Sequence, residues 1–110
     1  MILQQPILSI LLGNAIHDID MGDGRKASMA FRDHGKAAMR RADGTVLNGA
    51  WQVEEEGYSV DWDGGPSARW RLSATPGRIA YVDAGGVERG LVTGISFIGA
   101  GASASWLDGQ

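Results

Sequence analysis

Residues 58–74, YSVDWDGGPSARWRLSA, decide the fold. On either side of the glycine pair at 64–65 the apolar residues fall at every second position: Tyr58, Val60 and Trp62 before it, Ala68, Trp70, Leu72 and Ala74 after it. Successive side chains of an extended strand point to opposite faces, so this spacing predicts two strands, each with one apolar face, and puts Arg69 and Arg71 on the other. Aspartate and glycine between such strands mark a turn, because both tolerate left-handed backbone. The stretch therefore reads as an antiparallel hairpin.

Outward from it, the same punctuation recurs roughly every ten residues, at DHG (33–35), DG (43–44), EEEG (54–57), TPG (75–77) and AGG (84–86). The expectation is an all-β protein, an antiparallel up-and-down meander of about eight strands closed as a barrel or half-barrel. In RKASMAFR the inward set is Ala27, Met29 and Phe31, with Lys26, Ser28 and Arg32 outside. Facing Met29 with Met39 and Phe31 with Ala37 leaves a loop of Asp33, His34 and Gly35, with glycine where a left-handed residue is wanted. The next hairpin is less direct. A two-residue turn at Asp43 and Gly44 would set Met39 opposite Asn48, out of step with an inward set of Leu47, Trp51 and Val53. A longer loop, or a bulge near Asn48 and Gly49, restores the parity.

At the N-terminus Pro6 suits a first helical turn and Gly13 a helix end, so PILSILLG predicts a short helix plugging one end of the sheet. Residues 1–24 are read as helix and loop, and 99–110 as a flexible tail, within one domain spanning 1–110. A chain of 110 residues can bury roughly two thirds of its unfolded surface, enough for one core. There is no cysteine, which excludes disulfides, thiolate catalysis and cysteine-type zinc sites. A net charge of −3 argues against nucleic acid, and the apolar N-terminal stretch is too short to span a bilayer. As it stands the chain reads as cytoplasmic, or as periplasmic or secreted if a leader has been removed.

HDIDMGDG (17–24) is the stretch most like a reactive site. His17, Asp20 and Asp23 offer nitrogen and oxygen ligands, and a metal-assisted enzyme built on them is one reading. The run departs from a calcium loop at Gly22 and Met29, where an EF-hand needs ligands, so a connection between elements is the better reading. His34 falls at a turn tip, and no residue pattern calls for a cofactor or names a catalytic group. The cations Arg25, Lys26, Arg32, Lys36, Arg40 and Arg41 crowd the first hairpin as a charged sheet surface, without outward aromatics for stacking bases.

LLGNAI (11–16), MAF, DGT (43–45) and GAWQV (49–53) together resemble a group of small bacterial lipocalin-like β-barrel proteins with a Leu-x-Gly-Asn, Asp-Gly-Thr, Gly-x-Trp pattern, over roughly residues 11–62. The resemblance implies a barrel or half-barrel of lipocalin or calycin form and supplies no activity. Ala15 stands where that pattern has threonine.

Trp51, Trp62, Trp70, Tyr81, Met29 and Phe31 all fall on inward parities, mixed with small residues such as Ala27, Ala37, Gly49 and Ala68. Two outcomes fit: a filled core, or a cup for a small apolar or amphipathic ligand. A non-catalytic binding module is the first reading. A protein-interaction or inhibitor-like module is the alternative, suggested by Ile95, Phe97 and Ile98, whose apolar character on both faces of a last strand would suit a partner or a second copy in a homodimer.

Overall fold

A computed structural model describes residues 1–98. The tail at 99–110 lies outside the described residues. The chain runs α1 (Gln5–Leu12), β1 (Ala15–Asp20), β2 (Lys26–Phe31), a 3-10 turn (Asp33–Gly35), β3 (Lys36–Arg40), β4 (Val46–Glu54), β5 (Gly57–Trp62), β6 (Ser67–Thr75), β7 (Arg78–Val82) and β8 (Glu88–Phe97). Each strand pairs antiparallel with the next, and β1 pairs with β8, so the meander is a closed barrel.

Registers follow the alternation. Met29 faces Met39 and Phe31 faces Ala37. In the next hairpin Met39 faces Leu47 and Ala37 faces Gly49, so parity is restored by a longer loop rather than by a bulge. That loop closes through the Arg41 N–H on the Thr45 carbonyl and the Gly44 N–H on the Arg41 carbonyl, with Gly44 at φ 88°, a left-handed conformation that penalises a side chain.

One expectation is corrected. Residues 1–24 are not helix and loop throughout: 15–20 are the strand that closes the barrel, between turns at 13–14 and 21–25. In AIHDID the inward residues are Ala15, His17 and Ile19. A histidine stands where an apolar residue completes the pattern, which hides the alternation.

The two ends of the barrel differ. The loops after β1, β3, β5 and β7 share one end, and each closes around three residues, through hydrogen bonds 21 to 25, 41 to 45, 62 to 66 and 83 to 87. The opposite end carries the turns after β2, β4 and β6 and receives α1. Leu8 and Leu12, one turn apart on the same face, are fully buried against the barrel core, while Ile7 and Ile10 face outward. Burying each such leucine is worth about 2 kcal/mol. The segment before the helix is tied to the sheet by the Leu3 N–H on the Leu72 carbonyl (2.9 Å) and the Gln5 N–H on the Glu55 carbonyl (2.9 Å). The helix is therefore a fixed plug.

Ile16, Ala30 and Ala38, outward by register, form a second small buried cluster on the outer face of β1–β3, with Ile98 packed on it and its N–H on the Asn14 carbonyl (2.7 Å). So Ile98 lies on the outer wall of its own chain. Phe97 and Leu91 stay partly exposed on β8.

Candidate functional site

The side chains that meet inside the barrel divide it. Phe31 stands edge-on to Trp51 (5.4 Å between ring centroids), Tyr58 (4.9 Å) and the His17 imidazole (5.1 Å), and Tyr81 meets Tyr58 (6.0 Å) and Trp70 (6.1 Å). Edge-to-face packing suits the charge distribution of such rings and adds to the area they bury. On the helix side of this layer the interior is filled by Leu8, Leu12 and Leu72. On the loop side it is not.

There the barrel holds a cavity of about 150 Å³. Its walls come from Ile19, Ala27, Met29, Met39, Val60 and Ala68, its aromatic side from Tyr58, Trp62, Trp70 and Tyr81, and its rim from Met21, Arg89 and Gly90. Almost all of this surface is carbon. Met21 is 43% exposed, so the rim reaches solvent between the loops. A Cβ at position 90 would come within 2.7 Å of the Ile19 Cγ2, so the glycine there leaves room for the Ile19 side chain on the neighbouring strand β1.

His17 explains the depth at which the helix stops. The last carbonyls of a helix have no partner within it, and inside a barrel water does not supply one. The His17 Nε2–H donates to the Leu11 carbonyl (2.9 Å), and its Nδ1 accepts from the Tyr81 hydroxyl (2.9 Å). This uses both ring nitrogens in the neutral form. Burial holds the imidazole below its ordinary pKa, outweighing the opposite pulls of the Leu11 carbonyl and the Asp18 charge. Burial pushes the phenols of Tyr58 and Tyr81 up, so both stay protonated. His17 and Tyr81 thus hold the helix end in place.

Of the residues singled out from sequence, Met29, Trp62, Trp70 and Tyr81 line the cavity. Trp51 and Phe31 do not. The Trp51 Nε1–H donates to the Arg32 carbonyl (3.0 Å) at the helix end, and Phe31 is fully buried in the dividing layer. Sequence reasoning passed over Tyr58, Met39, Met21 and Arg89 as ligand contacts. Tyr58 and Met39 were legible as inward. Met21 and Arg89 belong to a turn and an irregular strand, where alternation says nothing about direction.

The three residues proposed for a metal-assisted reaction are not brought together. His17 points into the barrel, Asp20 accepts the Gly22 N–H (2.9 Å) in its own turn, and Asp23 lies at the turn tip. Among the described residues no group of three or more His, Asp or Glu side chains is placed to hold a metal ion. Lys26, Arg40 and Arg41 border an open depression on the outer wall beside Asp18, which accepts the Ser28 hydroxyl (2.9 Å).

No known protein family, curated protein or solved structure matches this chain.

Proposed function

We propose that the protein is a non-catalytic binding module that takes one small apolar molecule into the loop end of its barrel. The observation that carries this reading is the apolar cavity itself, about 150 Å³ and rimmed by exposed residues, in a barrel whose other end is packed solid by α1. Eight-stranded barrels are just wide enough either to fill with side chains or to hold one small ligand, and this one does the first at one end and the second at the other. A drug-sized guest needs on the order of 300 Å³, so the fit is to something smaller. An engineered apolar cavity of about 150 Å³ stays dry and binds benzene. The guest is therefore of the size of one aromatic ring or a short branched chain. Methionine supports the same reading: Met21, Met29 and Met39 all face the cavity, and their unbranched thioethers repack around differing shapes.

Two tryptophans line the cavity, so its occupation is read from their emission. Titration with toluene should give a saturable change in the wild-type protein, and Ala68→Leu, which grows into the cavity from β6, should abolish it while the barrel still unfolds cooperatively. Flat titrations of the wild-type protein with toluene, ethylbenzene and 2-phenylethanol would overturn the proposal.

A further inference from the structure

We infer that the guest is an amphipathic carboxylic acid, its apolar part in the barrel and its carboxylate on Arg89 at the rim. This rests on the cavity reading above and adds the chemical class of the ligand.

Among the described residues, Arg89 is the one charged side chain lining the cavity. Its position comes from a break in the ladder: Tyr81 pairs with Gly90, but Val82 pairs with Glu88, so Arg89 is the extra residue of a β-bulge between β7 and β8. A bulge re-aims the residue it inserts, and here it brings a cation to the mouth of an apolar cavity. The loop behind it is tightly held. Asp83 Oδ1 accepts the N–H groups of Gly85 (2.9 Å) and Val87 (3.0 Å), its Oδ2 accepts Arg89 Nε–H (2.7 Å), and Arg71 Nη2 donates to the carbonyls of Asp83 (3.2 Å) and Ala84 (3.3 Å).

The guanidinium is thus oriented before any ligand arrives. It carries five N–H donors, and among the described residues the Nε–H is the one that reaches a protein acceptor. The Nη edge remains, and a planar fork of N–H groups matches a carboxylate in a bidentate way that a lysine does not. Asp83 forms an ion pair with Arg89, but it engages only the Nε edge with Oδ2, its Oδ1 being taken by two backbone amides, so the terminal fork still faces outward for a second carboxylate. The neighbouring acids are also engaged: Glu88 takes both terminal nitrogens of Arg78 (2.8 and 2.6 Å), and Asp20 takes the Gly22 N–H. An anion approaching Arg89 therefore meets carboxylates that already have partners, while its apolar end enters a cavity sized for one ring.

The experiment compares three probes of one shape class, phenylacetate, 2-phenylethanol and ethylbenzene, by tryptophan emission or calorimetry on wild type, Arg89→Gln and Arg89→Lys. The expected result is that wild type binds phenylacetate at least about tenfold more tightly than 2-phenylethanol, since a hydrogen bond to a charged group is worth more than that factor. In Arg89→Gln the preference for the acid should vanish, so that phenylacetate and 2-phenylethanol bind alike. Arg89→Lys should keep part of the preference and lose it faster as salt is added. Equal binding of acid and alcohol by wild type would overturn the inference and leave the cavity reading intact, as would an equal loss for all three probes in Arg89→Gln. Failure of every probe to bind wild type would remove the cavity reading itself, and this inference with it.

Discussion

The helix end and the loop end of this barrel are made from the same strands, yet one is filled and the other is hollow. At the helix end α1 supplies Leu8 and Leu12 from outside the sheet, and the aromatic layer of Phe31, Tyr58 and Tyr81 closes beneath them. At the loop end the described residues contribute barrel side chains, several of them small, and the four three-residue loops are too short to fold inward. An eight-stranded barrel is just wide enough for its own side chains to fill or to leave room for a small guest, and among the described residues α1 adds packing at one end. The difference teaches that the helix fills the barrel down to the layer where His17 bonds Leu11 and Tyr81, and that the cavity lies beyond that layer.

The comparison breaks hardest at the plug. Leu8→Ala should cost about 2–5 kcal/mol, because a fully buried leucine leaves both lost transfer energy and a void that the fixed helix cannot close. Urea unfolding would measure it. If instead the cost fell below about 1 kcal/mol, the two ends would be alike in packing.

Tyr81→Phe tests the layer between them. It leaves His17 Nδ1 buried without its donor, at a cost of about 1–3 kcal/mol. The aromatic packing survives, so the loss should register in stability and not in far-ultraviolet dichroism.

Acid sharpens the same point. His17 in the folded protein lies below its ordinary value of 6.5, so as pH falls through 6.5 the unfolded chain takes up the proton first. Stability should be level above about pH 7, decline as pH drops below 6.5, and level again only below the folded pKa. Asp43, Asp83 and Glu88 are also held below their ordinary values, chiefly by hydrogen bonds from Thr45, Val87 and Arg78, but their losses come in the lower range where carboxylates titrate. Melting temperatures at about pH 7.5 and 5.5 therefore isolate the histidine, and His17→Gln should flatten the slope between them.

Met21→Ala is the smallest effect. Its side chain sits at the open rim and is half exposed, so stability should change by no more than about 0.5 kcal/mol in the same urea experiment. A larger loss would mean the loop end is packed after all.

Much of this architecture is written in short stretches. The inward set Tyr58, Val60 and Trp62 and its partner Ala68, Trp70, Leu72 follow from period-two alternation alone, and the Met29–Met39 register follows from that alternation plus one left-handed glycine. The site is less legible. Trp51 and Trp62 have the same parity and the same chemistry, but Trp51 donates to Arg32 at the helix end while Trp62 walls the cavity, because a residue's height along the barrel, unlike its face, depends on the stagger of all eight strands. His17 read as a ligand because histidine among aspartates suggests metal chemistry. Its partners, Leu11 and Tyr81, lie six and sixty-four residues away.

What the sequence by itself determined is local: which residues face inward, where the chain turns, that a short helix precedes the strands, and that no thiol chemistry is open to it. These follow from backbone sterics and a two-residue period, which act over a few positions. The tertiary structure alone decided that β1 meets β8 to close the barrel, how deep α1 seats, that the ladder slips at Arg89 and that an empty volume lies at one end. Each of those is set by contacts between residues far apart in the chain, where packing leaves or fills space only once every strand is in place.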